Sequence, residues 1–170
     1  MPDNTQIMHW KQLSEKPLLI YELYDEEKPV LTLSINYKTS IFRAECKWGK
    51  RVFFINKEGI WKDKTVLKNE YGVVFGKASY QKWHSDKGSV EIDNKTFNYT
   101  FRNNPTAELI FYKNNPDKPI ITCKLKPEKG IVKVKSEKLD EGDNKYFLFA
   151  LSWYLFLPIA MENTIPEKEK

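Results

Sequence analysis

The sequence predicts a mainly β protein: a closed antiparallel barrel of about twelve strands around a central apolar helix at about residues 143–158. Short runs rich in Tyr, Phe, Trp, Ile, Val and Thr, each ended by turn residues, follow one another from Gln6 to Ser136. A long, uncharged, apolar run stands after them, near the end of the chain. These two features together indicate a sheet that closes and a helix that fills it.

The length and composition are typical of one globular domain. The chain has 170 residues, of which 41% are hydrophobic and 14% aromatic, so it can bury a sizeable core. Nine prolines and seven glycines are too few for a disordered or low-complexity chain. We therefore expect a single barrel domain over 1–161 that includes the helix, and a charged tail over 162–170.

Strands are expected where apolar and polar residues alternate. Phe97, Tyr99 and Phe101 share one face of such a run, and the residues between them are polar. Turn residues such as Asp86-Lys87-Gly88 separate the runs, because they supply the positive or fixed φ that tight connections need. The predicted strands lie near residues 7–13, 18–24, 29–35, 40–47, 51–56, 59–61, 65–68, 72–78, 79–84, 88–93, 96–102, 107–113, 119–125 and 130–135.

The helix is predicted from the run between Tyr146 and Met161, where sixteen consecutive residues carry no charge. Asp143 or Asn144 is a suitable N-cap, and Pro158 is a suitable terminator. A helix that is apolar on every side is either a membrane span or buried in a core. Sixteen residues reach only ~24 Å, whereas a bilayer core is ~30 Å thick, so the length favours a core helix.

The strand number follows from the space that such a helix needs. Eight strands tilted by ~40° close into a barrel ~16 Å across, and twelve strands into one ~24 Å across. The helix with its side chains takes ~10–12 Å, and inward strand side chains add ~5 Å on each side. About twelve strands therefore fit, and closure also removes unpaired sheet edges.

Basic charge is concentrated in the middle of the chain. The formal net charge is +5, and residues 38–102 contribute +7. The sharpest basic and aromatic cluster is Lys47-Trp48-Gly49-Lys50-Arg51, and it could bind a phosphorylated headgroup while Trp48 rests at the lipid interface. The alternative is a hairpin tip whose charges keep the surface soluble and whose Trp packs beneath it. The candidate ligand-binding residues are Lys47, Trp48, Lys50, Arg51 and Lys57.

No motif indicates catalysis. His9 and His84 are the ordinary neutral-pH proton carriers, and no sequence feature places either beside a nucleophile. Nucleophile-elbow, P-loop, dinucleotide and zinc-protease motifs do not occur. Cys46 and Cys123 are far apart and indicate neither a disulfide framework nor a metal knuckle. We expect a protein that is not an enzyme, with no catalytic residue, metal or cofactor.

The expected compartment is the cytoplasm. The first ten residues lack a basic region followed by an apolar stretch, so no secretory signal is visible. The basic segment adds the expectation of peripheral contact with a membrane. We expect a monomer or a weak dimer.

The apolar run Tyr146 to Ala160, together with hairpins such as Gly88 to Phe101, resembles the tubby C-terminal fold. Tubby proteins, phospholipid scramblases and LURP-one-related proteins share that fold. The resemblance implies association with membrane phospholipids, by phosphoinositide docking in tubby proteins and by calcium-linked lipid association in scramblases. No acidic run has calcium-loop spacing, and no Cys-rich segment suits palmitoylation, so no functional residue of the family transfers to a position here.

The function expected from these features is that of a binding or interaction module that docks weakly on anionic phospholipid headgroups or on another protein. The alternative is a β-barrel carrier of a small hydrophobic ligand, which requires an empty interior. A single-stranded nucleic-acid binder is a third possibility. It is less favoured because no motif of the known binding folds accompanies the basic and aromatic residues.

Overall fold

A computed structural model describes residues 5–60, 64–80, 86–103, 107–125, 131–137 and 144–163. In this part of the chain the protein forms twelve β-strands and one α-helix. The strands are β1 (Thr5–Ser14), β2 (Leu18–Asp25), β3 (Lys28–Asn36), β4 (Arg43–Trp48), β5 (Arg51–Glu58), β6 (Lys64–Asn69), β7 (Val74–Tyr80), β8 (Lys87–Ile92), β9 (Lys95–Asn103), β10 (Ala107–Tyr112), β11 (Ile121–Leu125) and β12 (Ile131–Glu137), and the helix is α1 (Asn144–Asn163).

The strands form one antiparallel sheet in which each strand pairs with the next along the chain. β1 pairs with β2 on one side and with β12 on the other, so the order of hydrogen-bonded strands returns to its beginning, as in a closed barrel. Met8, for example, lies opposite Asp25 on β2 and Val134 on β12. The prediction of a mainly β protein with a C-terminal helix is confirmed.

The alternation seen in the sequence separates the two faces of the sheet. On β3, Leu31, Leu33 and Ile35 are buried while the residues between them are partly exposed. β2, β4, β5 and β8 repeat this pattern, since neighbouring side chains of a strand point to opposite faces. β6 and β10 differ, because each buries several consecutive residues. One face of the sheet therefore forms a core, and the other meets solvent.

The helix α1 fills the space inside this sheet. Strands β3 and β4 contact it from one side, and β10 and β11 from another. Leu148 and Phe156 are fully buried and Trp153 is 3% exposed, so the apolar run is enclosed by the strands that precede it. Burial of each large side chain contributes about 1.5–3 kcal/mol before entropy. Within the described part of the chain, no helix has both the length and the apolar character that crossing a bilayer requires.

The helix continues past the proline that was expected to end it. Pro158 lies inside α1, which extends to Asn163. Proline removes one backbone N–H and crowds the preceding turn. Pro158 is exposed, so this disruption falls where water reaches the chain. The predicted cap Asp143 lies outside the described residues, as does most of the tail over 162–170.

Two predicted strands are not separate strands in the structure. Gly59 and Ile60 form part of a tight connection, in which Gly59 has a φ of 95°. Ser79 and Tyr80 continue β7, and residues 81–84 of that prediction lie outside the described part. Residues 40–42 form a turn, so β4 begins at Arg43. Short apolar stretches predicted strands here, but an apolar residue can also lie in a loop, where its backbone pairs with no neighbouring strand.

The antiparallel order places alternate connections at opposite ends of the barrel. We name the end that carries residues 13–18, 36–43 and 56–60 the lower rim. The end with the turns at 26–27, 49–50 and 70–73 is the upper rim. Phe147 of α1 packs on Phe53 and Phe75 near the upper rim, and the Tyr154 hydroxyl donates to the Phe42 carbonyl at the lower rim, 2.8 Å away. The helix therefore runs from the upper to the lower rim.

Candidate functional site

The structure divides the predicted ligand-binding residues among four places. Lys47 lies on the outer face of β4, and Lys50 is exposed in the β4–β5 turn at the upper rim. Trp48 and Arg51 pair across that turn and face the mouth of the barrel. Lys57 lies at the opposite end of β5. The five residues therefore do not form one site.

Trp48 packs into the upper mouth of the barrel. Its ring stacks on Tyr146 with centroids 4.1 Å apart and an interplanar angle of 19°, and it meets Phe147 edge-on at 6.3 Å. The Arg51 guanidinium lies 5.3 Å from the centre of the Trp48 ring. This arrangement fits the alternative of a tryptophan packed beneath a hairpin, with arginine covering it. Trp48 is turned toward the helix, away from the position that a lipid anchor would take.

Lys57 is separated from this cluster by the length of β5. Six residues of strand span ~20 Å between Arg51 and Lys57. Lys57 continues the inward row formed by Phe53 and Ile55, and it is half-buried. Burial lowers the pKa of its amine. The backbone N–H of Lys57 donates to the Phe42 carbonyl at 3.0 Å, which ties β5 to the β3–β4 connection.

Lys47 lines a groove of about 590 Å³ on the outside of the barrel. The groove crosses β2, β3, β4 and β5, and every lining side chain from a strand belongs to the outer face. Its lining residues are Leu18, Ile20, Ser34, Asn36, Thr39, Arg43, Glu45, Lys47 and Phe54. We call this concavity the outer groove.

The charged part of the outer groove comes from β4. Arg43, Glu45 and Lys47 alternate with the buried Ala44 and Cys46, so all three charged side chains point outward. The Lys47 ammonium lies 3.7 Å from a Glu45 carboxylate oxygen, and both side chains remain well exposed. Two cations against one carboxylate give the groove a net charge of +1. Its electrostatics therefore suit an anionic ligand.

Arg43 is held over an aromatic ring. Its guanidinium carbon lies 4.1 Å from the centre of the Phe54 ring, on the next strand. A guanidinium stacked in this way keeps a defined plane, and it retains donors for an anion. Arg43 is thus the positioned cation of the outer groove. Lys47 is the second cation, and its ammonium stands on a flexible aliphatic chain.

The neutral side of the groove comes from β3 and the turn after it. The carbonyl of Asn36 accepts hydrogen bonds from the backbone N–H groups of Thr39 and Ser40, at 3.1 and 3.0 Å. The Asn36 amide oxygen accepts from the N–H of Lys38 at 3.0 Å. These bonds fix the β3–β4 turn and carry Thr39 to the groove. Ser34, Asn36 and Thr39 add polar side chains that could hydrogen-bond a ligand.

Arg43, Ser34, Asn36 and Thr39 were not among the predicted site residues. Arg43 and Lys47 are four positions apart, and in a strand that spacing puts both on one face. This spacing is a signal that the sequence carries, although the basic and aromatic residues around Trp48 are more closely clustered. No local sequence pattern indicates that residues of β2 and β3 also line the groove.

The histidine and the two cysteines among the described residues do not line the outer groove. His9 stacks on Tyr24 with ring centroids 5.5 Å apart, and the Tyr24 hydroxyl donates to Glu22 at 2.6 Å, which raises the pKa of Tyr24. His84 lies outside the described residues. Cys46 and Cys123 are free, buried thiols, and burial raises the pKa of both. Among the described residues, no three His, Cys, Asp or Glu side chains are grouped so that they could hold a metal ion.

Comparison with protein-family models, with curated proteins and with solved structures finds no match for this chain. The fold and the outer groove therefore define the class of protein by themselves. That class is an antiparallel β protein with a buried helix and an external basic groove.

Proposed function

We propose that this protein is a non-enzymatic binding module with a closed barrel of the tubby type, and that it docks on anionic phospholipid headgroups through the outer groove. The observation that carries the proposal is the pair of outward cations, Arg43 and Lys47, on one groove wall. This site differs from the cluster around Trp48 that the sequence first indicated. It retains one member of that cluster, Lys47.

The chemistry of the groove matches a phosphodiester. A guanidinium offers paired N–H donors that fit two phosphate oxygens, and an ammonium adds a second positive charge. Glu45 supplies an acceptor between the two cations. A headgroup that carries both a phosphate and an ammonium, such as that of phosphatidylserine, would satisfy all three side chains.

The size of the groove agrees with one headgroup. A volume of about 590 Å³ lies within the range of ~300–1,000 Å³ that small-ligand sites occupy. The groove is on the outside of the barrel, where a bilayer can reach it. The interior holds α1, so the space that a carrier of hydrophobic ligands requires is occupied by Leu148, Trp153 and Phe156. This supports the docking module over the carrier.

The test is sedimentation with phosphatidylcholine vesicles that do or do not contain phosphatidylserine, at low salt. We expect the full chain to sediment only with the anionic vesicles, and we expect Arg43→Gln combined with Lys47→Gln to weaken binding at least tenfold. The matched control is Lys118→Gln, which removes an exposed charge far from the groove. Equal binding by the groove variant and the control, or no binding by the unaltered chain, would contradict the proposal.

A further inference from the structure

The lower rim presents five large apolar side chains to solvent. Their exposed fractions are 91% for Ile60, 52% for Ile41, 49% for Leu13, 41% for Leu18 and 37% for Phe42. These residues lie in or beside three alternate connections, β1–β2, β3–β4 and β5–β6, which the antiparallel order places at one end of the barrel. Isolated exposed apolar residues are ordinary, but several on neighbouring tips mark a contact surface.

Backbone hydrogen bonds hold these three connections together. The N–H of Tyr37 donates to the Pro17 carbonyl at 2.7 Å, which joins the β3–β4 connection to the β1–β2 connection. The N–H of Lys57 donates to the Phe42 carbonyl at 3.0 Å, which joins the β3–β4 connection to the end of β5. The β1–β2 connection, the β3–β4 connection and the end of β5 are therefore tied to one another.

The lower rim is continuous with the outer groove. Leu18 belongs to both, since it lines the groove and is exposed at the rim. Arg43, the positioned cation of the groove, directly follows the exposed Phe42 in the chain. A ligand bound in the outer groove would therefore lie next to any surface that the apolar side chains of the lower rim contact.

The charges of the lower rim complement an anionic surface. The described rim, with Lys64 at the start of β6, carries Lys16, Lys38, Arg43, Lys57 and Lys64 against Glu15 and Glu58. This is a net charge of +3. At the upper rim, by contrast, residues 26–27, 49–50 and 70–73 carry Glu26, Glu27 and Glu70 against Lys50, which is a net charge of −2. An anionic bilayer would therefore attract the lower rim.

We propose that the lower rim inserts Leu13, Leu18, Ile41, Phe42 and Ile60 into the interface of an anionic bilayer, so that the outer groove stands at headgroup level. This inference rests on the proposed function and adds an orientation and a penetrating surface to it. Cations alternate with the apolar tips around the rim. Such mixing suits lipid, where lysine and arginine reach headgroups while apolar side chains enter the acyl boundary, whereas the centre of a protein interface is depleted of charge.

The orientation can be measured with a fluorophore attached to one introduced cysteine. Ile60→Cys places the label on the lower rim, and Tyr71→Cys places it on the upper rim, where the native side chain is 83% exposed. The native thiols of Cys46 and Cys123 are buried, so labelling falls on the introduced residue. Phosphatidylserine vesicles that contain nitroxide-labelled lipid serve as the quencher.

We expect vesicles to quench the label at position 60 and to leave the label at position 71 unquenched. Quenching at position 71, or at neither position while the protein sediments with vesicles, would overturn the insertion and leave the proposed function standing. Absence of vesicle binding would remove both proposals. A concentration-dependent change of the position 60 signal without vesicles would show that a second copy covers the rim, and this too would overturn the insertion.

A second experiment separates the rim from the groove. Ile41→Ser combined with Ile60→Ser should weaken partition onto phosphatidylserine vesicles about tenfold, because two apolar side chains no longer leave water. The same variant should bind soluble glycerophosphoserine as the unaltered chain does, whereas Arg43→Gln should weaken binding of both probes. Val73→Ser, on the upper rim, is the matched control. Unchanged vesicle partition by the rim variant would refute the insertion.

Discussion

Trp153 of the helix stacks on Trp10 of β1, with ring centroids 5.2 Å apart and an interplanar angle of 16°. Tyr21 of β2 meets the same Trp153 ring edge-on at 5.1 Å. β1 is the strand that pairs with both β2 and β12. The helix therefore packs on β1, the strand at which the first and last strands of the sheet pair. Helix docking and the pairing of β1 with β12 thus stabilise each other.

Removal of this ring should cost much of the stability. Trp153→Ala leaves a cavity against Trp10 and Tyr21, and we expect the free energy of unfolding to fall by about 3–5 kcal/mol. Trp153→Phe should cost less, because a ring still fills part of the space. Urea unfolding followed by circular dichroism measures both. A loss below about 1 kcal/mol for Trp153→Ala would contradict the interior position of the helix.

Gly88 should not tolerate a side chain. A Cβ at this position would overlap the Tyr99 ring and the Ser79 carbonyl, because β8 passes closely over its neighbours. We expect Gly88→Ala to destabilise the protein by about 1–3 kcal/mol or more, as overpacking does. Gly76→Ala is a useful comparison, since its Cβ would meet its nearest neighbours at 3.2 Å. Thermal unfolding of the two variants should rank Gly88→Ala as the less stable.

Stability should decline in alkaline solution. Burial raises the pKa of Tyr21 and that of Cys123 each to about 12. In the unfolded chain the pKa is about 10 for Tyr and about 8.5 for Cys. Between these values and a pH of about 12, each group is therefore neutral in the folded protein but has lost its proton in the unfolded chain. Their contribution is therefore fully present below pH ~8 and is lost as the pH rises toward 12. Urea midpoints measured between pH 8 and pH 11 test this, and Tyr21→Phe should flatten the slope above pH ~10.

The two native cysteines should be unreactive in the folded protein. Cys46 and Cys123 are each 0% exposed, and the thiolate that reacts is disfavoured in such an environment. A chromogenic disulfide reagent should modify them at the rate of unfolding. The introduced cysteine of Tyr71→Cys should react in the first seconds, as an accessible thiol. Rapid modification of a native thiol would show that the core opens readily.

Vesicle binding should weaken as salt increases. Arg43 and Lys47 in the groove and the further cations of the lower rim attract anionic lipid through solvent, where salt screens the interaction. We expect affinity to fall steeply between low and physiological ionic strength, and the Arg43→Gln and Lys47→Gln double variant should show a shallower dependence. Titration of vesicles at several salt concentrations provides the comparison. Binding independent of salt would point to an apolar contact alone.

Sequence pattern located most strands and the helix, because alternation and turn chemistry are local properties. Even the inward direction of Trp48 follows from its position on β4, two residues after Cys46 and four after Ala44, which puts all three on the same face of the strand. Two predictions of secondary structure were wrong because each rested on one residue type, whereas the neighbouring residues determined the local structure. Pro158 did not end the helix, and the apolar Ile60 lies in a turn. The composition of the site was the least predictable part, since lysine and arginine occur at many exposed positions.

The sequence by itself determined that this protein pairs a β-rich chain with an apolar helix that must be buried, because hydrophobic periodicity needs no knowledge of distant contacts. Only the tertiary structure decided that Leu18, Ser34 and Arg43, from three different strands, share one groove. It likewise decided that the exposed Ile41 and Ile60 stand at the same rim, near that groove. Such neighbourhoods depend on strand pairing and on the alternation of chain direction around the sheet, and no local pattern encodes them.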